Sequence, residues 1–359
     1  MIGYNTAYFI VVLCLIFSLP KDKKVRQLAF IFMGVVLVCL CGFRHVASEH
    51  TLYGNDSYRY YETFLNSART KVVLWGDDTK DPAFQILTKF IRFFTSNVYV
   101  YGFIIAMLTI TPVLYLYKKV SSFPVMAVFL YVCMQVGGST PYFIAFNQMR
   151  QALAVGIMCI AVYYYIKANC RFNFNVLLWL IIMTLTHWSS LIFIMPFLLK
   201  KIRLNKYIYI ALMIVASMTG VFAQRYASQL TELFLLMEQG YYLDDDIQVG
   251  LFSNLPLLIL SCYTFFISSK EECNSFEHKC LFLQFVVYGL LAPINNSIFR
   301  FVIYYGVIGN LAITSSFCKS FKQKNAITIG IVVVEFAWIS YVLLASLAGW
   351  EKVFPYSIC

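Results

Sequence analysis

Residues 176–199 read VLLWLIIMTLTHWSSLIFIMPFLL. This run is long enough for one membrane-spanning helix, which needs about 20 apolar residues. Its centre is polar, however, and carries His187, the one histidine that lies inside an apolar run of the chain. We therefore predict two short helices that meet near His187, with Ser189 and Ser190 as natural N-caps of the second helix. Such a break is tolerated at membrane depth where protein or a water-filled cavity surrounds the backbone.

The whole chain is too apolar for a water-soluble globule. Of its 359 residues, 60% are apolar and 13% are charged, against about 45–50% and about 25% in soluble domains. The predicted fold class is all-α, a polytopic membrane protein with about ten full transmembrane helices and one broken re-entrant helical hairpin. A single integral membrane domain would cover residues 1–359. The apolar runs behind this prediction lie at residues 4–19, 28–43, 98–117, 123–138, 151–168, 176–199, 207–224, 251–269, 280–292, 301–317 and 326–348.

Lysine and arginine set the predicted orientation, because they collect in cytoplasmic loops. The basic residues of segment 21–26 place the first connection in the cytoplasm and the N-terminus outside. A single crossing by residues 176–199 would put every later basic loop on the wrong side, whereas a re-entrant hairpin restores the rule. The net charge of +11 is then a signal of topology, and we predict no nucleic-acid partner.

Two long segments between the runs are expected to face outward, away from the cytoplasm. Residues 44–97 form a large loop, and residues 225–250 form a second one. Within the first loop, Phe84, Leu87, Ile91 and Phe94 recur at helical spacing. The opposite face carries the polar residues Gln85, Thr88, Lys89 and Arg92, so this is the pattern of an amphipathic helix at the membrane interface. An ordinary packed loop helix is the alternative.

Motifs for a metal or a nucleotide are nearly absent from the sequence. Asp244-Asp-Asp246 contains a DxD pattern, which some glycosyltransferases use to hold a metal, but three acidic residues in an outer loop are more typical of a solvated segment. The cysteines of the chain lie mainly in apolar runs, where cysteine acts as a small hydrophobic residue, and no Cys or His spacing fits zinc. Neither a glycine-rich phosphate loop nor a serine hydrolase motif is present. We therefore predict no metal site and no cofactor.

Three arginines, Arg44, Arg150 and Arg300, lie at the predicted outer ends of spans, against the charge bias that sets the orientation. An arginine fork binds phosphate oxygens bidentately and keeps its charge at any working pH. Several of them in one outward cavity suit a pyrophosphate at headgroup depth. Contact with lipid phosphate or a structural ion pair is the alternative for each one taken singly.

Polar residues accompany Arg150 at the start of a predicted span. By their spacing, Asn147 and Gln151 share a helical face with Arg150. A polar face at the mouth of a span normally faces a water-filled cavity. Capping of the helix explains Asn147 alone, so this group predicts a binding face.

An aspartate is followed by tyrosines in the sequence of the large outer loop. Asp56 is followed by Tyr58 and Tyr60, whose rings and hydroxyls offer a surface for stacking and hydrogen bonding with sugars. A helix-capping role for Asp56 is the alternative. Asp56 and His187 are the two candidates for a general base, and the residues leave that choice open.

In their order along the chain, these elements resemble the EpsG-like branch of the Wzy polymerases, which build bacterial surface polysaccharides. The similarity covers roughly residues 40–315, and its most distinctive element is the helix start from Phe146 to Gln151. The family often has proline after the histidine, where this chain has Trp188. The matching elements are the Arg44 segment, Gly54-x-Asp56-x-Tyr58, Phe146-Asn-Gln-Met-Arg-Gln151, Thr186-His-Trp-Ser189 and Arg300-Phe-x-x-Tyr304.

The resemblance implies a glycosyltransferase of the bacterial inner membrane with its active site facing the periplasm. It would transfer a glycan chain from undecaprenyl pyrophosphate onto a lipid-linked repeat unit, with the lipid bilayer and a chain-length regulator as further partners. Arg44, Arg150 and Arg300 would hold the pyrophosphates, with Arg150 also stabilising the leaving group. His187 or Asp56 would deprotonate the acceptor hydroxyl. The other residues implied in substrate binding are Asn147, Gln151, Tyr58, Tyr60 and Tyr304.

Two other functions stay open on the sequence. A GT-C-type glycosyltransferase that uses polyprenyl-phosphate sugars also carries acidic residues in its first outer loop, and more often needs a divalent metal. A lipid-linked oligosaccharide flippase would need a path open alternately to both sides, commonly with repeated halves. Here the polar membrane residues cluster outward and no halves repeat, which favours the polymerase.

Overall fold

The computed structural model of the protein describes residues 4–18, 22–44, 56–69, 81–134, 140–223, 251–291 and 299–323, with a few residues between 330 and 344. Most of these residues are helical, and none of them lies in a β-strand. The predicted all-α class is therefore confirmed over this part of the chain.

Four helices among the described residues are long and apolar enough to cross a membrane. Several shorter apolar helices accompany them, and with the composition they indicate an integral membrane protein. The count of about ten spans stays a prediction. The four long segments are Lys23–Gly42, Val98–Val120, Met149–Lys167 and Arg300–Lys322.

The chain divides into two compact units. The first comprises residues 1–133, 141–191 and 344–359. Its described helices are α1 (Tyr4–Ser18), α2 (Lys23–Gly42), α3 (Asp56–Asn66), α4 (Pro82–Phe94), α5 (Val98–Val120), α6 (Pro124–Cys133), α7 (Pro141–Asn147), α8 (Met149–Lys167) and α9 (Phe174–Thr186).

One hydrophobic cluster of the first unit is largely aromatic and lies where α3, α4, α5 and α8 meet. Phe64 of α3 and Tyr101 of α5 are buried and stack with ring centroids 4.3 Å apart. Full burial of a side chain such as phenylalanine contributes about 1.5–3 kcal/mol. The short helices α3 and α4 are thereby fixed against the long helices α5 and α8.

Helices α2 and α5 run antiparallel and approach each other at glycines. A Cβ added to Gly42 would lie 2.7 Å from the Cα of Phe103, and one added to Gly34 would lie 2.8 Å from a methyl carbon of Leu114. Small residues allow this close approach of helix backbones in membranes. The first turn of α2 and the last turn of α5 therefore lie at the same end of the pair.

The predicted amphipathic helix is present as α4. It buries Phe84, Thr88 and Ile91 and exposes Phe90 and Phe94. Two residues depart from the predicted faces. Thr88 was predicted on the polar face but is buried, where its hydroxyl bonds to the buried hydroxyl of Tyr101 at 3.2 Å. Phe94 was predicted on the apolar face but is exposed. The location of α4 at the membrane interface stays a prediction.

The second unit comprises residues 134–140 and 192–343, and polar side chains tie its connections together. Nδ2 of Asn274 donates to the carbonyl of Leu204 at 3.2 Å, and Oδ1 of Asn274 accepts the backbone N–H of Leu204 at 3.0 Å. The buried ammonium of Lys279 donates to the carbonyls of Leu199 and Lys200, as cations do at helix C-termini. The predicted loop 225–250 lies outside the described residues. The helices of this unit are α10 (Met195–Leu198), α11 (Lys206–Ala223), α12 (Leu251–Ile267), α13 (Lys270–Cys273), α14 (Phe276–Leu291) and α15 (Phe299–Gln323).

Candidate functional site

The helix break predicted at His187 is confirmed. Helix α9 ends at Thr186, and a 3₁₀ helix covers Trp188–Ile194. Between them His187 has an extended backbone (φ −158°, ψ 110°), and its N–H donates to the carbonyl of Met183 at 3.0 Å. The hydroxyls of Thr184 and Thr186 donate to the carbonyls of Leu180 and Ile182, one turn earlier in α9. Hydrogen bonds of this kind often bend helices.

The predicted capping role of two serines is wrong. Ser189 and Ser190 lie inside the 3₁₀ helix, where the N–H of Ser190 donates to the carbonyl of His187 at 3.0 Å. The chain thus continues from His187 in the tighter i→i+3 pattern and needs no α-helical N-cap at this point. The re-entrant path of residues 176–199 stays a prediction.

A carboxylate that the sequence analysis did not single out lies at this break. Asp81 directly precedes Pro82 at the start of α4, yet its side chain makes no capping bond. Its Oδ2 lies 2.8 Å from Nη1 of Arg150 and 3.3 Å from Nδ1 of His187. Its Oδ1 accepts the backbone N–H of Trp188 at 3.2 Å. The side chain of Asp81 is 3% exposed, so this carboxylate joins α4, α8 and the end of α9 in the interior of the first unit.

The backbone of Asp81 is strained. Its φ of 134° lies in a region that residues with a side chain rarely adopt, at a cost of about 1–3 kcal/mol. Such a conformation persists where the surroundings over-determine it. The three contacts of the carboxylate do so here, and they draw the side chain away from the helix start that it would ordinarily cap.

Arg150 connects the buried carboxylate to the surface. Besides its ion pair with Asp81, its Nε donates to the hydroxyl of Tyr60 at 3.1 Å, and its Cζ lies 5.5 Å from the centre of the Tyr60 ring. Its side chain is 39% exposed. The structure thus brings together three residues predicted for the site, Tyr60, Arg150 and His187, around Asp81. We call these four residues the Asp81 cluster.

The Asp81 cluster combines one cation, one anion and one imidazole. Its net charge is zero when His187 is neutral and positive when His187 takes up a proton. If the Nδ1–H of His187 donates to Asp81, then Nε2 is the nitrogen that can accept a proton. The arrangement therefore offers a base and a guanidinium close together, with one carboxylate orienting both.

Arg44 lies at the junction of two helices. It is buried, its Nη1 donates to the carbonyl of Cys41 near the end of α2, and its Nη2 donates to the carbonyl of Phe146 at 2.6 Å. Its Cζ also lies 5.4 Å from the centre of the Phe146 ring. Arginine at helix C-termini satisfies carbonyls that lack helical partners, so Arg44 links α2 to the end of α7.

The predicted continuous face around Arg150 is interrupted. Helix α7 ends at Asn147 and α8 begins at Met149, with Gln148 between them outside helical geometry (φ −108°, ψ 69°). Asn147 therefore does not share a helix with Arg150, and that part of the prediction is wrong. Gln151 lies on α8 and is buried.

The other predicted site residues belong to α3 and to the second unit. Helix α3 begins at Asp56, whose side chain lies outside the described part of the chain, and Tyr58 follows half-buried. Arg300 and Tyr304 belong to the second unit, where Arg300 is half-buried in the first turn of α15 and Tyr304 is fully buried. Among the described residues, no group of His, Cys, Asp and Glu could hold a metal.

The sequence profile of one protein family, described as the EpsG family, matches residues 27–358. The chain belongs to the EpsG family. No curated protein and no solved structure matches the chain at a significant level. The EpsG match begins within α2 and includes all four residues of the Asp81 cluster.

Proposed function

We propose that this EpsG family member is a glycosyltransferase that polymerises a bacterial surface polysaccharide. The donor is a glycan chain on undecaprenyl pyrophosphate, the acceptor is a lipid-linked repeat unit, and transfer takes place at the periplasmic face of the inner membrane. The observation that carries the proposal is the convergence of Arg150 and His187 on Asp81 within a chain of this family.

In the proposed reaction His187 is the general base. Its Nε2 takes the proton of the acceptor hydroxyl while the hydroxyl oxygen bonds to C1 of the donor sugar. The bond between C1 and the pyrophosphate oxygen breaks, and its electron pair leaves with the pyrophosphate. The proton then passes from His187 to the leaving group or to water. General-base assistance of this kind contributes about 10²–10⁴-fold to the rate.

Asp81 is the positioning residue in this scheme. A carboxylate that accepts from one imidazole nitrogen fixes the tautomer and the ring orientation, and it stabilises the imidazolium that forms. The additional bond from the N–H of Trp188 to Asp81 ties the carboxylate to the backbone that carries His187. Base and orienting group therefore keep a fixed geometry.

Arg150 stabilises the departing pyrophosphate. Preorganised cations aimed at developing charge are a major source of catalysis, and the exposed part of Arg150 can meet an anion from solvent while the hydroxyl of Tyr60 supports its Nε. Arg44 is bonded to carbonyls at the helix junction, so its contribution is to hold the start of α8 in place. Arg300 and Tyr304 are further candidates for contacts with the substrate.

Deletion of the gene in the host bacterium tests the proposal. Loss of a polymerase leaves surface lipid that carries one repeat unit, which a gel of extracted polysaccharide resolves from the normal ladder. Complementation with the wild-type gene should restore the ladder. A mutant that carries no repeat unit would indicate a flippase, and an unchanged ladder would contradict any role in this polymer.

A further inference from the structure

An apolar groove of about 390 Å³ lies between α2 and α5, and none of its lining residues belongs to the Asp81 cluster. Its volume falls within the range of about 300–1,000 Å³ typical of ligand sites. Gly34 and Leu114 line it where the two helices approach each other, while Val35, Met107 and Tyr115 line the groove and are exposed. The groove therefore opens toward the surroundings of the helices.

One end of this groove is basic. Lys118 lines the groove itself, and Lys119 follows it in the last turn of α5. Because α2 runs antiparallel to α5, Lys23 and Lys24 in the first turn of α2 lie at the same end, and all four side chains are exposed. The nearby carboxylate of Asp22 is engaged as the N-cap of α2, where it accepts the N–H of Lys24 at 2.7 Å.

The opposite end of the groove is aromatic. Phe103 lines it and stacks on Phe43, with ring centroids 4.8 Å apart and planes at 16°. From Phe103 to Lys118 the groove follows α5 for about 22 Å, at about 1.5 Å per residue. That length exceeds one leaflet of a hydrocarbon core about 30 Å thick, so a single acyl chain can lie in the groove along its length.

We propose that this groove binds one anionic phospholipid, with an acyl chain between α2 and α5 and its phosphate at Lys118. Basic residues that flank membrane helices attract anionic headgroups, and the apolar walls match the chain. The substrate lipid of the proposed reaction would carry its pyrophosphate at the Asp81 cluster, and Arg44 lies beyond the other end of α2. The lipid in the groove is therefore a separate molecule, and its binding does not depend on the proposed function.

Lipid retention on the purified, full-length protein tests this inference. Native mass spectrometry in detergent, with added phosphatidylglycerol or phosphatidylcholine, would count the retained molecules. We expect one phosphatidylglycerol on the wild type. Lys118→Gln should weaken its binding about fivefold, which corresponds to the contribution of one basic residue at headgroup level. Lys167→Gln removes a basic residue from the last turn of α8, outside the groove, and should leave binding unchanged.

A second pair of variants tests the groove rather than the charge. Val35→Trp fills the groove from an exposed position and should abolish retention, whereas Phe32→Trp, exposed on α2 but outside the groove, should not. Equal retention of both phospholipids, or full retention in Val35→Trp, would overturn the proposal. Displacement of phosphatidylglycerol by an equimolar polyprenyl phosphate would assign the groove to that lipid instead and would also overturn it.

Discussion

Oδ2 of Asp81 contacts both a guanidinium and an imidazole, at 2.8 Å and 3.3 Å. The side chain of Asp81 is buried, so removal of either partner leaves its charge less compensated. Substitutions at Asp81, Arg150 and His187 are therefore expected to affect one another. Their separate roles still differ in ways that activity measurements can distinguish.

The first prediction concerns the base. His187→Ala should lower polymer synthesis by about 10²–10⁴-fold while the protein still binds lipid-linked donor, because Arg150, which is proposed to meet the pyrophosphate, is kept. Asp56→Asn should have a milder effect if Asp56 only starts a helix or orients sugar. A purified polymerisation assay with a parallel donor-binding measurement checks both. A normal rate in His187→Ala with an inactive Asp56→Asn would exchange the roles.

The second prediction concerns the orientation of the imidazole. Asp81→Asn keeps the size of the side chain but removes the charge, so turnover should fall by about 10²-fold or more. Asp81→Glu restores the carboxylate and should recover part of the rate. A normal rate in Asp81→Asn, or no recovery in Asp81→Glu at a normal protein level, would show that the carboxylate does not position His187.

The third prediction concerns the guanidinium group of Arg150. Arg150→Lys keeps the charge but cannot contact Asp81 and Tyr60 through two separate nitrogens. Polymerisation should be strongly impaired at a normal protein level. The matched control is Arg171→Lys, at an exposed position after α8, which should behave as wild type. Full ladder formation by Arg150→Lys would mean that a point charge suffices.

At the scale of helices, packing between α5 and α8 depends on Gly156. A Cβ there would lie 2.8 Å from the carbonyl oxygens of Leu108 and Thr109, which are backbone atoms. Gly156→Ala should therefore destabilise the protein by about 1–3 kcal/mol, visible as a lower thermal midpoint in detergent. The control is Gly330→Ala, where a Cβ meets no atom within 4 Å. Equal midpoints for the two variants would contradict the packing argument.

The end of α9 could be predicted from the sequence, whereas the 3₁₀ helix after it could not. A polar centre in an apolar run indicates a break, and the break is found at His187. The choice of a 3₁₀ helix beyond that residue depends on tertiary contacts, including the bond from the N–H of Trp188 to Asp81. The interruption at Gln148 was missed for a similar reason, since spacing alone predicts one continuous helix face around Arg150.

The central carboxylate of the site could not be found by local reasoning. An Asp-Pro pair before an amphipathic segment looks like an ordinary helix start, and Asp81 is separated by 69 residues from Arg150 and by 106 from His187. Tyr60, Arg150 and His187 could be predicted as site residues from the sequence, because their residue types are unusual near apolar runs. Only the fold shows which carboxylate they share.

For the whole molecule, the re-entrant path of residues 176–199 determines the orientation of everything after it. If that segment is a hairpin, alkaline phosphatase fused after Asn205 should be inactive, because that position stays in the cytoplasm. A fusion near Asp245 should be active in the periplasm. Equal expression of both fusions, verified by immunoblot, is the control. The reverse pattern of activity would exclude the hairpin and invert the second half of the chain.

The long separation between Asp81 and His187 also sets an order of events during synthesis. At about 5–20 residues per second, a ribosome needs roughly 5–20 s to extend the chain from one residue to the other. During that interval the carboxylate has neither the imidazole nor the backbone N–H that later hold it, and its left-handed backbone has not yet been stabilised. Of the three groups that contact the carboxylate, only the guanidinium of Arg150 has been synthesised before residue 187. The site can therefore be completed only after about half of the 359-residue chain has been made, and a nascent chain arrested before residue 187 would contain helices α1 to α9 without a formed site.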